Sequence, residues 1–209
     1  MVVDASHVIY LARGALRLAP VLGAAAEEMF GDFIRASSCW NHTPLACTER
    51  ISDQIDEQLR QLDPVGSLGD SWRAALSLRV PVRPVGPEAS QLGGKADAEL
   101  LDLALLEAAD TSVLLLTNDE DLISHAFRAT RRIGDADQLE PMNTTDFVMK
   151  QLVCQGLDDA RAAALLDAEW ANVEIMRPDM APDKHSKKVR RLEDAYQEMI
   201  TIRYDREDW

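Results

Sequence analysis

Cysteine is scarce in this 209-residue sequence: Cys39, Cys47 and Cys154 lie far apart, with no CxxC spacing. That excludes a disulfide framework and a cysteine zinc site, and it predicts a reducing, cytoplasmic setting. No apolar run approaches the length that spans a bilayer, so no membrane association is expected. The first residues show no basic segment followed by a long apolar one, so no secretory signal is expected. Aromatic residues are few, and Trp40, Trp72, Trp170 and Trp209 are too dispersed to form a base-stacking series. Basic residues are outnumbered, with 22 Lys and Arg against 36 Asp and Glu and a formal net charge of −14. Such a chain is not expected to coat nucleic acid over its whole surface. Three motifs are also missing. Without GxSxG around Ser6 a serine hydrolase is disfavoured. Gly93-Gly94-Lys95 lacks the rest of a phosphate loop, and His7, His42, His125 and His185 show no metal-ligand spacing.

What the chain does have is alternation. Residues 1–5 read as a short buried strand, and Ser6 as a cap for the helix HVIYLARGAL. Residues 21–37 read as a helix, and 43–47 (TPLAC) as a second strand. Thr48 then starts a helix in which Ile51, Ile55, Leu59 and Leu62 recur at helical spacing. Residues 63–95 are rich in Pro and Gly and predict a loop or flap, broken by a helix over 71–78. An amphipathic helix follows over 96–109. SVLLLT, residues 112–117, is an uninterrupted apolar run of the buried parallel-sheet kind. DLISHAFRATRR predicts a helix ending near Gly134, and 138–141 lead into a further helix, TTDFVMKQLV. This pattern predicts an α/β three-layer sandwich around a parallel sheet. Residues 1–153 form its domain, and 154–209 a helical C-terminal extension suited to homo-oligomer or protein-partner contacts.

The acids sit at the ends of these elements. Asp4 ends the first strand, and Asp53 lies in the first turns after the second, with Glu49, Asp56 and Glu57 nearby. Asp97 opens the 96–109 helix, and Asp119 and Asp121 follow the strongest strand. Sites in parallel sheets form beyond the carboxyl ends of strands. Carboxylates converging there repel one another unless a cation neutralises them. Hard cations such as Mg²⁺ or Mn²⁺ prefer oxygen ligands, and one bound there activates water for attack on a phosphodiester. Taken singly, each acid is better explained as a cap or a helix-dipole partner. The ordered set of four is harder to explain that way.

Four segments carry a resemblance. VVDASHVIYLARG has an apolar strand, an aspartate, a small hydroxyl residue two positions on, and an apolar helix. GGKADAELLDLALLEAA opens a helix with aspartate. LLLTNDEDLISHAF has Thr-x-Asp and then a second acid. QLEPMNTTDFVMKQL has proline before a short apolar helix. In this order they resemble the PIN-domain family of metal-dependent ribonucleases, over residues 1 to about 153. The resemblance implies an endoribonuclease, a hydrolase acting on RNA through a magnesium- or manganese-dependent acidic centre. It makes Asp4, Asp97 and Asp119 metal ligands. Ser6, Thr117 and Asn118 become their orienting neighbours, and Asp121 an accessory acid. The family places a glutamate about six residues into the helix after the second strand. Gln54 stands there, with Asp53 one residue away, so either Asp53 assists or the fourth acid is missing.

Lys95 and Arg128 are candidates to offset phosphate charge. Lys184, Lys187, Lys188, Arg190 and Arg191 are a denser basic run, suited either to RNA or to pairing with acidic helices. Two alternatives stand beside the nuclease. One is a PIN-like domain with weak catalysis that acts as a binding or assembly module. The other, less favoured, is a phosphatase-like enzyme with Asp4 as nucleophile, for which the second aspartate of DxD is missing.

Overall fold

A computed structural model describes residues 1–147 except 39–43, 82, 134–137 and 145. The predicted extension over 154–209, the domain boundary before it and the basic run at 184–191 lie outside the described residues. So do Cys39, Trp40, His42, Gly134, Cys154, Trp170, His185 and Trp209.

Strand β1 (Val2–Val3) leads into α1 (Ala5–Leu22) and α2 (Ala26–Ser38). β2 (Ala46–Thr48) leads into α3 (Glu49–Leu62) and α4 (Leu68–Ala75). Then come β3 (Leu78–Val80), a short 3₁₀ turn at Ala89–Gln91, and α5 (Lys95–Ala108). β4 (Val113–Leu116), α6 (Glu120–Ile133) and β5 (Leu139–Met142) complete the described chain. The strands form one sheet in the order β3-β2-β1-β4-β5, and every pairing is parallel. The chain winds outward from β1 in one direction and then crosses back to β4. With right-handed crossovers, that reversal sends the helices before and after it to opposite faces. Consistent with a three-layer sandwich, α1 to α4 pack on one another, while α5 lies along β2, β1, β4 and β5 and meets α6.

Burial explains which strands the sequence announces. β1, β2 and β4 are fully buried and strongly apolar. Among the described residues β3 and β5 are the two edges, where the sequence pattern predicts a flap and a lead-in. β3 exposes Leu78 and Arg79, and β5 contains Pro141, so neither carries a clean strand pattern. The cap of α1 also differs from expectation. It is Asp4, whose carboxylate accepts the amides of Ala5 and Ser6, so Ser6 lies inside the helix. The helix runs through Pro20 to Gly23, which takes a left-handed conformation (φ 65°) that glycine tolerates. Cys47 is buried, and its thiol is pushed up to about 12 by burial, which fits the inert packing role expected of it. No helix among the described residues is long and apolar enough to cross a membrane.

Candidate active site

The strand order reverses between β1 and β4, and the two loops leaving that point carry the chemistry. Register places Val3 opposite Leu116, and the Asp4 amide donates to the Leu116 carbonyl at 2.9 Å. Thr48, the last residue of β2, therefore lines up with Asp4, Thr117 and Asn143, each one residue beyond its own strand, in a row along the carboxyl edge. All four are buried.

Asp4 organises this row. Its Oδ1 accepts the Ala5 amide at 2.7 Å, and its Oδ2 accepts the Ser6 amide at 3.3 Å. Oδ2 also accepts the hydroxyls of Ser6 at 2.5 Å and Thr117 at 2.8 Å. Each hydroxyl gives its proton to Asp4 and accepts an amide from the β4–α6 loop in return. Ser6 Oγ takes Asn118 N–H at 2.9 Å, and Thr117 Oγ1 takes Asp119 N–H at 3.0 Å. The carboxylate thus fixes the neighbouring loop through two hydroxyls, which explains why small hydroxyl residues stand at 6 and 117. A second lattice fixes the same loop from outside. Asn118 Nδ2 donates to Thr144 Oγ1 at 2.7 Å, and the Thr144 amide donates to Asn118 Oδ1 at 3.1 Å. His7 Nδ1 lies 2.9 Å from Thr144 Oγ1. Burial holds the His7 imidazole down to about 3, so it is neutral at physiological pH and acts as structure, not as a proton donor.

Asp119 caps α6, its Oδ1 accepting the amides of Asp121 at 2.8 Å and Leu122 at 3.1 Å. Asp97 enters from the first turn of α5 and is half-buried. Its carboxyl is raised above the ordinary range, first by burial and then by the negative charges of Asp4 and Asp119. Asp97, distant in sequence from both, therefore lies close enough to Asp4 and Asp119 to feel their charges. The Asp97 side chain folds back over Gly94, the residue capping α5, so a Cβ at 94 would collide with its carboxylate. Gly94→Ala is expected to turn Asp97 away while leaving the helix formed. Circular dichroism would be unchanged, and the rise in the Asp97 carboxyl, read by NMR titration, would shrink.

The other expected residues lie apart. Asp53 is exposed and pairs with Arg79 of β3 at 2.6 Å, and Gln54 is also exposed. The sheet edge instead places Glu49, the half-buried first residue of α3, immediately after Thr48. Asp121 is exposed on the outer side of the α6 start, where its carbonyl lies 2.8 Å from His125 Nδ1. Lys95 is exposed at the start of α5. Arg128 is about 13 Å along α6 from Asp119 at 1.5 Å per residue. Its Nε donates to the Ser124 carbonyl at 3.2 Å. One acid had no signal in the sequence: Glu99 is buried within the apolar face of α5. Its carboxylate accepts Arg50 Nε at 2.9 Å and Nη2 at 3.2 Å.

The charged groups that Asp97 feels are both carboxylates, those of Asp4 and Asp119. That chemistry suits a hard divalent cation, and the repulsion on Asp97 is what such a cation relieves. Among the described residues, no three His, Cys, Asp or Glu side chains are gathered tightly enough to ligate one ion as they stand. No protein-family model matches the chain, and no curated protein or solved structure matches it.

Proposed function

We propose that the protein is a metal-dependent endoribonuclease with a PIN-like fold. The observation that carries this reading is the raised carboxyl of Asp97, which feels both Asp4 and Asp119 at the point where the strand order reverses. Asp97 and Asp119 would hold Mg²⁺ or Mn²⁺, with Asp4 the anchor between them. When bound, such an ion supplies a nucleophile at neutral pH and neutralises charge on the scissile phosphate. The chain's own residues do the positioning. Asp4, through Ser6 and Thr117, sets the loop that carries Asp119. The α5 N-terminus presents Asp97 and adds its dipole at an anionic substrate. Glu49 takes the fourth acidic place considered for Asp53. A nucleophilic role for Asp4 is disfavoured, because its oxygens already accept four hydrogen bonds.

Single-stranded RNA cleavage in Mn²⁺ tests the reading. Asp119→Asn is expected to reduce the rate by at least about 100-fold, the upper end of what losing a group that merely orients a ligand costs. Undiminished cleavage by that variant would overturn the site. The binding-module alternative draws on the loose gathering of the acids. Calorimetric titration separates the two: heat of Mn²⁺ binding that disappears in Asp97→Asn supports the nuclease, and no binding at millimolar metal supports the module.

A further inference from the structure

One ion pair differs in kind from the rest. Arg50, the second residue of α3, donates from Nε and Nη2 to the carboxylate of Glu99 on α5, at 2.9 Å and 3.2 Å. The Glu99 side chain is 3% exposed, whereas the acids of the other six ion pairs among the described residues are 19–77% exposed. A buried carboxylate needs such a partner, because an unpaired charge out of water is costly. It does not need the partner's other edge.

That other edge is available. A guanidinium is planar and presents its donors as rigid forks. Glu99 fills the fork of Nε and Nη2. The outer fork, made by Nη1 and the second N–H of Nη2, has no partner among the described residues. The Arg50 side chain is 41% exposed while its inner fork faces a buried acid, so the outer fork is the part left to solvent. Its place is the carboxyl edge of the sheet. Arg50 lies two residues after Thr48, the end of β2, and β2 runs beside β1, which leads into Asp4, at a strand spacing of about 4.8 Å. Glu99 lies two residues after Asp97 on α5. Arg50 is nevertheless not one of the charges that Asp97 feels. Glu99 thus fixes a cation beside an acidic centre without letting it neutralise the acids.

We propose that Arg50 is a phosphate anchor for the single-stranded substrate. It holds a backbone phosphate on the β2 side of the scissile one, and Glu99 is the positioning residue that aims it. The inference rests on the ribonuclease reading and adds to it a substrate contact outside the metal centre. An arginine fork matches two phosphate oxygens at once. Because Glu99 already fixes the side chain, less ordering is left to oppose binding.

The full chain tests this through RNA binding and RNA cleavage. Arg50→Gln combined with Glu99→Gln removes the cation and the acid together, so the net charge is kept and no buried carboxylate is left unpaired. Arg50→Lys keeps the charge and loses the fork. Binding of a fluorescently labelled single-stranded RNA is followed by anisotropy in EDTA over a range of salt. The slope of log affinity against log salt is expected to become shallower by about 0.7 in the double variant. Arg50→Lys is expected to keep the native slope and bind several-fold more weakly. For cleavage in Mn²⁺, KM is expected to rise about tenfold in the double variant, with kcat within a few-fold of native. A pair that merely joined two helices would change neither slope nor KM. The proposal is overturned if the double variant folds and keeps the native slope. Should it not fold, native RNA affinity in Arg50→Lys overturns it. A shallower slope in a chain that cuts no RNA would uphold the anchor and remove the ribonuclease reading. Cleavage that is lost in Asp119→Asn but unchanged in both Arg50 variants would do the reverse.

Discussion

Asp97→Asn is expected to give a more stable and much less active protein. The Asp97 carboxyl is raised, so the folded state binds its proton more tightly than the unfolded chain does. Between the ordinary carboxylate range and the raised value, folding therefore takes up protons. Stability from this group falls as pH rises through that window, and the full penalty remains at neutral pH. An amide removes the charge and most of the penalty, at a position half open to solvent where the effect is partly screened. The variant should melt a few degrees higher than native at pH 7 without metal, and the gap should close as the pH is lowered towards 4. Saturating Mn²⁺ should reverse the order. A ligand at 100 times its dissociation constant stabilises the folded state by about 2.7 kcal/mol, and only the native chain is expected to gain it. Differential scanning calorimetry with and without Mn²⁺ checks all three points. A variant less stable than native at pH 7 would mean that Asp97 serves the fold and not a site.

Asp4→Ala is expected to have the opposite signature, losing both stability and activity. The substitution removes the α1 cap, which alone costs about 1 kcal/mol. It also leaves the Thr117 hydroxyl, buried at the end of β4, without its acceptor, which costs about 1–3 kcal/mol. The combined loss is put at about 3 kcal/mol. Asp4→Asn keeps the shape, but its amide group must face donors on at least one side. It is expected to fall between native and Asp4→Ala in urea denaturation. Hydrogen exchange locates the damage: the amides of Asn118 and Asp119, held by hydroxyls that Asp4 orients, should lose protection before the core strands do. Uniform loss across the sheet would contradict the anchoring role.

The sequence made the centre of the sheet readable and left its rims obscure. β1, β2 and β4 are buried on both faces, so their apolar runs are unmistakable, and the acids that follow them mark the carboxyl edge. Among the described residues β3 and β5 each pair with a strand on one side only and satisfy fewer constraints, so a proline or an exposed arginine is tolerated and erases the pattern. The fourth acid is hard to read for a different reason. Counting inward along α3 leads to Asp53 and Gln54, which face water, whereas Glu49, directly after the last residue of β2, is half-buried. Glu99 was hidden by helical patterning itself, since a buried acid with an arginine partner looks in sequence like any surface glutamate. Asp119 and Asp97 stand out in the sequence because each lies at the start of a helix, Asp119 just before α6 and Asp97 in the first turn of α5.

The two rims have a consequence for how the molecule meets its own copies. On β5 the carbonyls of Gln138 and Met142 face β4, so residues of the other parity, including Pro141, turn their amide side outward. Pro141 has no N–H to offer there, which interrupts the row of donors a second strand would need. β3, at the far side, is three residues long and carries Arg79 bound to Asp53. Short length and a charged side chain both discourage another strand from adding on. Among the described residues, neither border of the sheet is a good template for strand addition. Within the described residues, an all-parallel, highly apolar sheet thus sits between two borders that each discourage growth into a fibre.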